Sequence, residues 1–322
     1  MIPKQMIAHL PTPVEWMPRL SAALGGPKLL VKRDDQTGLA MGGNKTRKLE
    51  YILADAQAQG AKTLVTIGAV QSNHCRQTAA LAARFGFDCI LILYGDKPET
   101  MTGNLLLDAL FGAEIHWTTR EQRDETFNRV FNHAWQEGRR PYAIPLGASN
   151  ALGAVAYAEA FSEMIDQGVN PDWIIFASSS AGTQAGMVLG ARRTEFRGKI
   201  LGISVDLPRD DLAKKVAALA TAGAERYGEK HVFNPQDILV NDRYIGAGYA
   251  VLGENETRAI QLFAKYEGLL VDPVYTGRAA GAMIDLIEKQ FFKPDETVLF
   301  WHTGGTPALF AQKYMDAFQE IV

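Results

Sequence analysis

Lys45 follows Met41-Gly42-Gly43-Asn44 directly and opens a stretch with helical periodicity. Two glycines make the backbone before it permissive, a preparation that a solvated lysine does not need. A lysine amine can add to a carbonyl, provided that its pKa falls far enough to leave it neutral. Arg47 and Lys48, with the positive end of a helix, are expected to push it down.

A second stretch, "WIIFASSSAGTQAGMVLGA" (173–191), runs from an apolar strand through Ser178, Ser179, Ser180, Ala181, Gly182 and Thr183 into a helix of small residues. Backbone N–H groups and hydroxyls at a helix start make a ready anion site. The glycine-lysine-serine/threonine of a nucleotide-binding loop is absent, and so is the dinucleotide glycine pattern. A single phosphate suits the loop better than a pyrophosphate. The competing reading is a tight strand–helix joint whose small residues only permit close packing.

In "GAVQSNHCRQTAAL" (68–81), Gln71, Ser72, Asn73 and His74 are grouped at a helix start. N-capping needs only one of them; four in a row suggest the lining of a site. His74 has no partner at metal-ligand spacing, so no metal is expected. Tyr275 and Thr276 in "DPVYTGRAAG" (272–281), and Thr303, Gly304 and Gly305 in "WHTGGTPALF" (301–310), are each expected at the carboxyl end of a strand. A phosphate cup, a lysine at a softened helix start and a slot lined by Asn and Tyr suit pyridoxal phosphate, with Lys45 as its Schiff-base lysine and the ring as electron sink.

The elements that must hold these loops are legible as apolar runs. They are "KLLVKRD" (28–34), "TLVTIG" (63–68), "CILILY" (89–94), "EIHWT" (114–118), "PYAIP" (141–145), "WIIFAS" (173–178), "ILGISVD" (200–206), "GLLVDP" (268–273) and "TVLFWHT" (297–303). Helical patterns separate them, and after Lys45 the residues Leu49, Ile52, Leu53 and Ala56 share one face. Near-continuous apolar strands between helices predict an α/β protein with two open, twisted parallel sheets and a ligand cleft between them. A length of 322 residues and a net charge of −3 without a basic stripe fit this class and speak against a nucleic-acid partner. No apolar run is long enough to span a membrane, and no signal-peptide core is visible at the N-terminus. Cys75 and Cys89 read as free buried thiols, which makes the cytoplasm the expected compartment.

"GGNKTRKLE", "GAVQSNHCRQTAA", "SSSAGTQAG", "DPVYTG" and "HTGGTPALF", in this order, resemble the pyridoxal-phosphate family of D-cysteine desulfhydrases, 1-aminocyclopropane-1-carboxylate deaminases and L-cysteate sulfo-lyases. The resemblance implies a tryptophan-synthase-β-like fold (fold type II), with a large domain at 1–48 and 157–322 and a small domain at 49–156. It implies that Lys45 carries the cofactor, that Asn73 meets the ring oxygen and that Ser72 lies beside the substrate carboxylate, with Gln71 and His74 also at the substrate. Ser180, Ala181, Gly182 and Thr183 would hold the phosphate. Tyr249 and Tyr275 would face substrate and ring, and Thr276 and Thr303 would take the places held in the deaminases by a glutamate at the pyridine nitrogen and by a leucine.

That pair of threonines points to the desulfhydrase side, because a weaker electron sink suffices where a good leaving group waits at Cβ. The implied reaction is α,β-elimination from D-cysteine to pyruvate, ammonia and sulfide, with Lys45 removing the α-proton. Loss of sulfite from L-cysteate is the alternative. Cyclopropane ring opening, a non-catalytic amino-acid binder and a nicotinamide oxidoreductase rank below these. The expected partners are a small amino acid and a second copy of the chain in a homodimer. Ser179, Gln184 and Ala250 depart from the desulfhydrase pattern and bear on the substrate, as would a cation such as Arg209.

Overall fold

A computed structural model describes residues 2–319. Ten strands form two sheets: β1 (Val14–Trp16), β2 (Lys28–Lys32), β3 (Thr63–Ala69), β4 (Asp88–Tyr94), β5 (Glu114–Thr118), β6 (Pro141–Ala143), β7 (Trp173–Ser178), β8 (Lys199–Ser204), β9 (Leu239–Asn241) and β10 (Thr297–Trp301). The larger sheet has the order β1-β2-β10-β7-β8-β9, and the smaller β5-β4-β3-β6. Every pairing is parallel except the short β1 edge.

Strand alternation explains the cores. Leu29, Val31 and Phe300 point to one face of the larger sheet, under the helices Glu254–Glu267 and Thr276–Glu288. Leu30, Leu299 and Trp301 point to the other, under Ala151–Asp166 and Gly182–Arg193. The smaller sheet is divided likewise, with Leu64, Leu91 and Leu93 packed against the Lys45 helix (Asn44–Ala58) and its neighbour Asn73–Phe85. Both faces of each sheet are thus covered, as continuous apolar strands require. Leu49, Ile52, Leu53 and Ala56 are all fully buried, as their spacing predicts.

Eight of the nine expected strands form. The ninth, 268–273, is irregular although its burial alternates like a strand's. Leu269 and Val271 are buried while Leu270 is exposed. The neighbouring β10 already has β2 on one side and β7 on the other, so β10 has no free edge to take it. Tyr275 and Thr276 therefore follow an irregular segment rather than a strand. β1 and β9, three-residue strands at the two edges of the larger sheet, fall outside the expected strands.

Candidate active site

The carboxyl ends of β3, β7 and β10 converge on a cleft, the usual ligand position in open α/β sheets. Lys45 lies in its wall, at the second residue of its helix. The preceding glycines bring two backbones together: Asn44 N donates to Thr303 O at 2.9 Å, and Gly43 Cα lies 2.6 Å from where a Cβ on Gly304 would stand. Gly43 and Gly304 have φ of 126° and 92°. The permissive approach to Lys45 is thus a close crossing of two cleft loops.

Burial pushes the Lys45 amine down to about 8. The expectation that Arg47 contributes is not met, since its guanidinium is bound 2.8 Å from both Asp34 and Glu163 on the far side of the helix. Lys48 is fully buried and reaches Gly147 O at 3.3 Å. Desolvation lowers its pKa first, and the Lys45 charge adds to it.

Elsewhere in the lining, Ala181 takes a left-handed φ of 70° just before its helix. This costs strain for a residue with a Cβ, and it turns the loop so that Ser180, Ala181 and Thr183 line the cleft. The first N–H groups of any helix lack intrahelical partners. Gly182 lies behind that lining: its N–H goes to Ser180 O and Ser149 Oγ, and a Cβ there would stand 2.6 Å from Ser149 Oγ. Asn44 Nδ2 donates to Thr183 Oγ1 at 3.0 Å, linking the lysine loop to the cup.

Ser72 both lines the cleft and caps its helix, accepting from Cys75 N at 3.2 Å, which leaves its O–H free to donate. Asn73 and His74 also line the cleft. Thr66 donates to Ile144 O at 2.9 Å, so its oxygen accepts from His74 Nε2–H at 2.8 Å. His74 Nδ1 is then a bare buried acceptor, and burial holds the ring neutral. Tyr249, Tyr275 and Thr303 complete the expected lining.

Besides Gly182, two expected residues do not reach it. Gln71 spends its side chain on the start of the next helix (Gly103–Leu110), accepting from Asn104 N at 2.8 Å and donating to Thr102 O at 2.9 Å. Thr276 is fully buried outside the lining, where its hydroxyl donates to Asp272 Oδ1 and accepts from Asp272 N, both at 2.7 Å. Of the three departures from the family pattern, Ser179 lines the cleft. Gln184 points instead to β9, donating to Leu239 O, and Ala250 lies in an adjoining pocket. Arg209 is exposed at the start of another helix. Arg120 and Arg123 add two guanidinium groups to the cleft, which sequence reading missed along with Tyr94, Gly147 and Asp206. They come from segments without any recognisable loop motif.

The fit to pyridoxal phosphate rests on this shape. Gly147 crosses so near the serine cup that a Cβ would stand 2.3 Å from Ser180 Oγ. Ser178 Oγ and Asp206 Oδ1 are buried cleft atoms without partners. The Lys45 amine and a helix start of small and hydroxyl residues line one slot with amide and phenol side chains, and the family match agrees. The chain belongs to the pyridoxal-phosphate dependent enzymes, whose family model matches residues 6–304.

Within that family it is 42% identical to the D-cysteine desulfhydrase of Klebsiella pneumoniae (strain 342), over 96% of each chain. A second Klebsiella pneumoniae D-cysteine desulfhydrase is 41% identical over the same share. Among solved structures, one described as a homologue of ACC deaminase superposes with a TM-score of 0.89 at 34% identity, covering 100% of this chain and 97% of that one. A fungal L-serine ammonia-lyase from Rhizomucor miehei, at 16% identity and a TM-score of 0.69 over 97% and 98% of the two chains, shares the fold.

Proposed function

We propose that the protein is a carbon–sulfur lyase that eliminates hydrogen sulfide from D-cysteine, leaving pyruvate and ammonia after one water is consumed. The observation that carries this reading is a half-buried Lys45 amine, pushed down to about 8 by burial, in one cleft with the paired phenols Tyr249 and Tyr275. The full-length likeness to D-cysteine desulfhydrases supports the choice of substrate.

When bound, pyridoxal phosphate supplies an electron sink conjugated to the substrate's α-carbon. Lys45 anchors it, Ser180, Ala181 and Thr183 hold its phosphate, and Asn73 donates to its ring oxygen. Ser72 donates to the substrate carboxylate. Lys45 Nζ accepts the α-proton, a task for which an amine with a pKa near the working pH is well matched. The C–S bond then breaks with its electron pair on sulfur, and the protonated phenol pair donates to the departing thiolate.

Thr276, the first residue of its helix after the irregular 268–275 segment, supports the loop behind this machinery through Asp272. Segment 49–156, which contains the four strands of the smaller sheet, is assigned as the small domain, with 1–48 and 157–322 as the large one. The free buried Cys75 and Cys89 fit a reducing compartment such as the cytoplasm. A homodimer belongs to the same proposal, and exposed Leu106, Leu110 and Phe310 offer apolar surface for it.

The test is a substrate panel on the holoenzyme with pyruvate and sulfide as readouts, comprising D-cysteine, L-cysteine, L-cysteate, β-chloro-D-alanine and 1-aminocyclopropane-1-carboxylate. D-cysteine should release both products in equal amounts and more efficiently than the L-isomer. Preference for L-cysteate, with Arg120 and Arg123 as its sulfonate partners, would overturn the assigned leaving group.

A further inference from the structure

Asn73 is the first residue of its helix and lines the cleft. Its Oδ1 faces two donors, Arg76 Nη1 and Asn104 Nδ2, each at 3.0 Å. A guanidinium has no acceptor, so the amide orientation is fixed and Nδ2 is the end left for the cleft. Arg76 Nη1 also donates to Asn104 Oδ1 at 2.7 Å, and Nη2 donates to Gly42 O at 2.7 Å. Asn104 in turn binds Gln71 through its backbone N–H and its Nδ2, at 2.8 and 2.9 Å. One buried cation therefore ties together the Asn73 amide, the helix that begins at Gly103, and the carbonyl three residues before Lys45.

Arg76 is fully buried, and no carboxylate forms an ion pair with it among the described residues. Asp108 and Asp272 are the acids whose charge it senses, and burial lowers it nonetheless. A buried cation without a counter-charge is costly, and its charge is spent on amide and carbonyl oxygens. Donation to the oxygen of an amide polarises its N–H groups into stronger donors.

We propose that Arg76 and Asn104 are positioning residues that fix the Asn73 amide and present its nitrogen, as a polarised donor, to the ring oxygen of pyridoxal phosphate. This rests on the reading of Asn73 as the partner of that oxygen. A strong donor there stabilises the deprotonated oxygen, so weakening it raises the pH at which the bound cofactor loses its proton.

The experiment reconstitutes the apo-protein with pyridoxal phosphate, then measures the dissociation constant and the pH midpoint of the cofactor's visible band. Asn73→Ala, Arg76→Gln, Arg76→Lys and Asn104→Ala are compared with the unmodified protein. Arg76→Gln and Asn104→Ala should each raise the midpoint by about half to one unit, roughly three- to tenfold in proton affinity, and weaken cofactor binding several-fold. Arg76→Lys should recover part of the shift. An unmoved midpoint in Asn73→Ala would refute the Asn73 reading itself. A shift in Asn73→Ala with none in Arg76→Gln and Asn104→Ala would overturn the positioning role, as would a lower Tm with midpoint and affinity unchanged. Should Arg76 variants fail to fold, Asn104→Ala alone decides.

Discussion

The hydroxyls of Tyr249 and Tyr275 stand 2.5 Å apart, with the rings edge to face and 5.9 Å between centroids. Burial raises both phenols, so each keeps its proton at neutral pH. One hydroxyl donates to the other, which leaves a single O–H to offer a departing sulfur. Conversion to Phe of the tyrosine whose O–H stays free for sulfur should lower kcat by about 10²–10⁴-fold, the usual range for a positioned acid or base. Its partner's conversion should cost less, and Tm should move little in either case. Unchanged kcat and KM in both variants would reduce the pair to packing.

The neutral amine is the form that captures an aldehyde. With Lys45 pushed down to about 8, about a tenth of it is neutral at pH 7, against roughly 0.03% for an unperturbed lysine. Capture of pyridoxal phosphate by apo-protein should therefore accelerate as pH rises through about 8 and then level off. A stopped-flow pH series that keeps climbing to pH 10 would show that burial does not set this amine's pKa.

The Thr276 hydroxyl exchanges two hydrogen bonds with Asp272 inside the protein, and the Thr276 N–H adds a third. Thr276→Val leaves the buried Asp272 N–H without its partner, while Oδ1 keeps the backbone N–H of Thr276, and should cost about 1–3 kcal/mol of stability. Thr276→Glu, alone or with Thr303→Leu, sets a carboxylate against Asp272, so destabilisation is expected rather than a gain of cyclopropane ring opening. Denaturant titration and a deaminase assay check both outcomes.

Asp108 is fully buried with neither carboxyl oxygen hydrogen-bonded, and burial pushes it up to about 8. Between its ordinary value and about 8 the unfolded chain releases a proton that the folded chain keeps, so this group's contribution to stability falls as pH rises across that window. Asp108→Asn should raise Tm at pH 8 and have a smaller effect at pH 4.5. Equal Tm changes at the two values would contradict this account.

The parts of the site that sequence disclosed are those where chemistry and backbone geometry coincide. Lys45 needs glycines before it because two loops cross there, and Ser180 to Thr183 need small residues because a helix start must face the cleft. Thr276 was misplaced because apolar alternation in 268–273 looks like a strand when the occupied flanks of β10 are unknown. Gln71 was misplaced because its position two residues before Asn73 says nothing of the Gly103–Leu110 helix that claims its side chain. Arg120, Arg123 and Asp206 reach the cleft only through tertiary packing, which leaves no local pattern.

The central claim is that the chemistry of the cleft is centred on Lys45. Borohydride reduction of the holoenzyme followed by peptide mapping tests it most directly. The reduced cofactor should be found on Lys45, and the Lys45→Ala protein should stay folded while forming no pyruvate from D-cysteine. An adduct on Lys48 or any other lysine, or full turnover by Lys45→Ala, would contradict it.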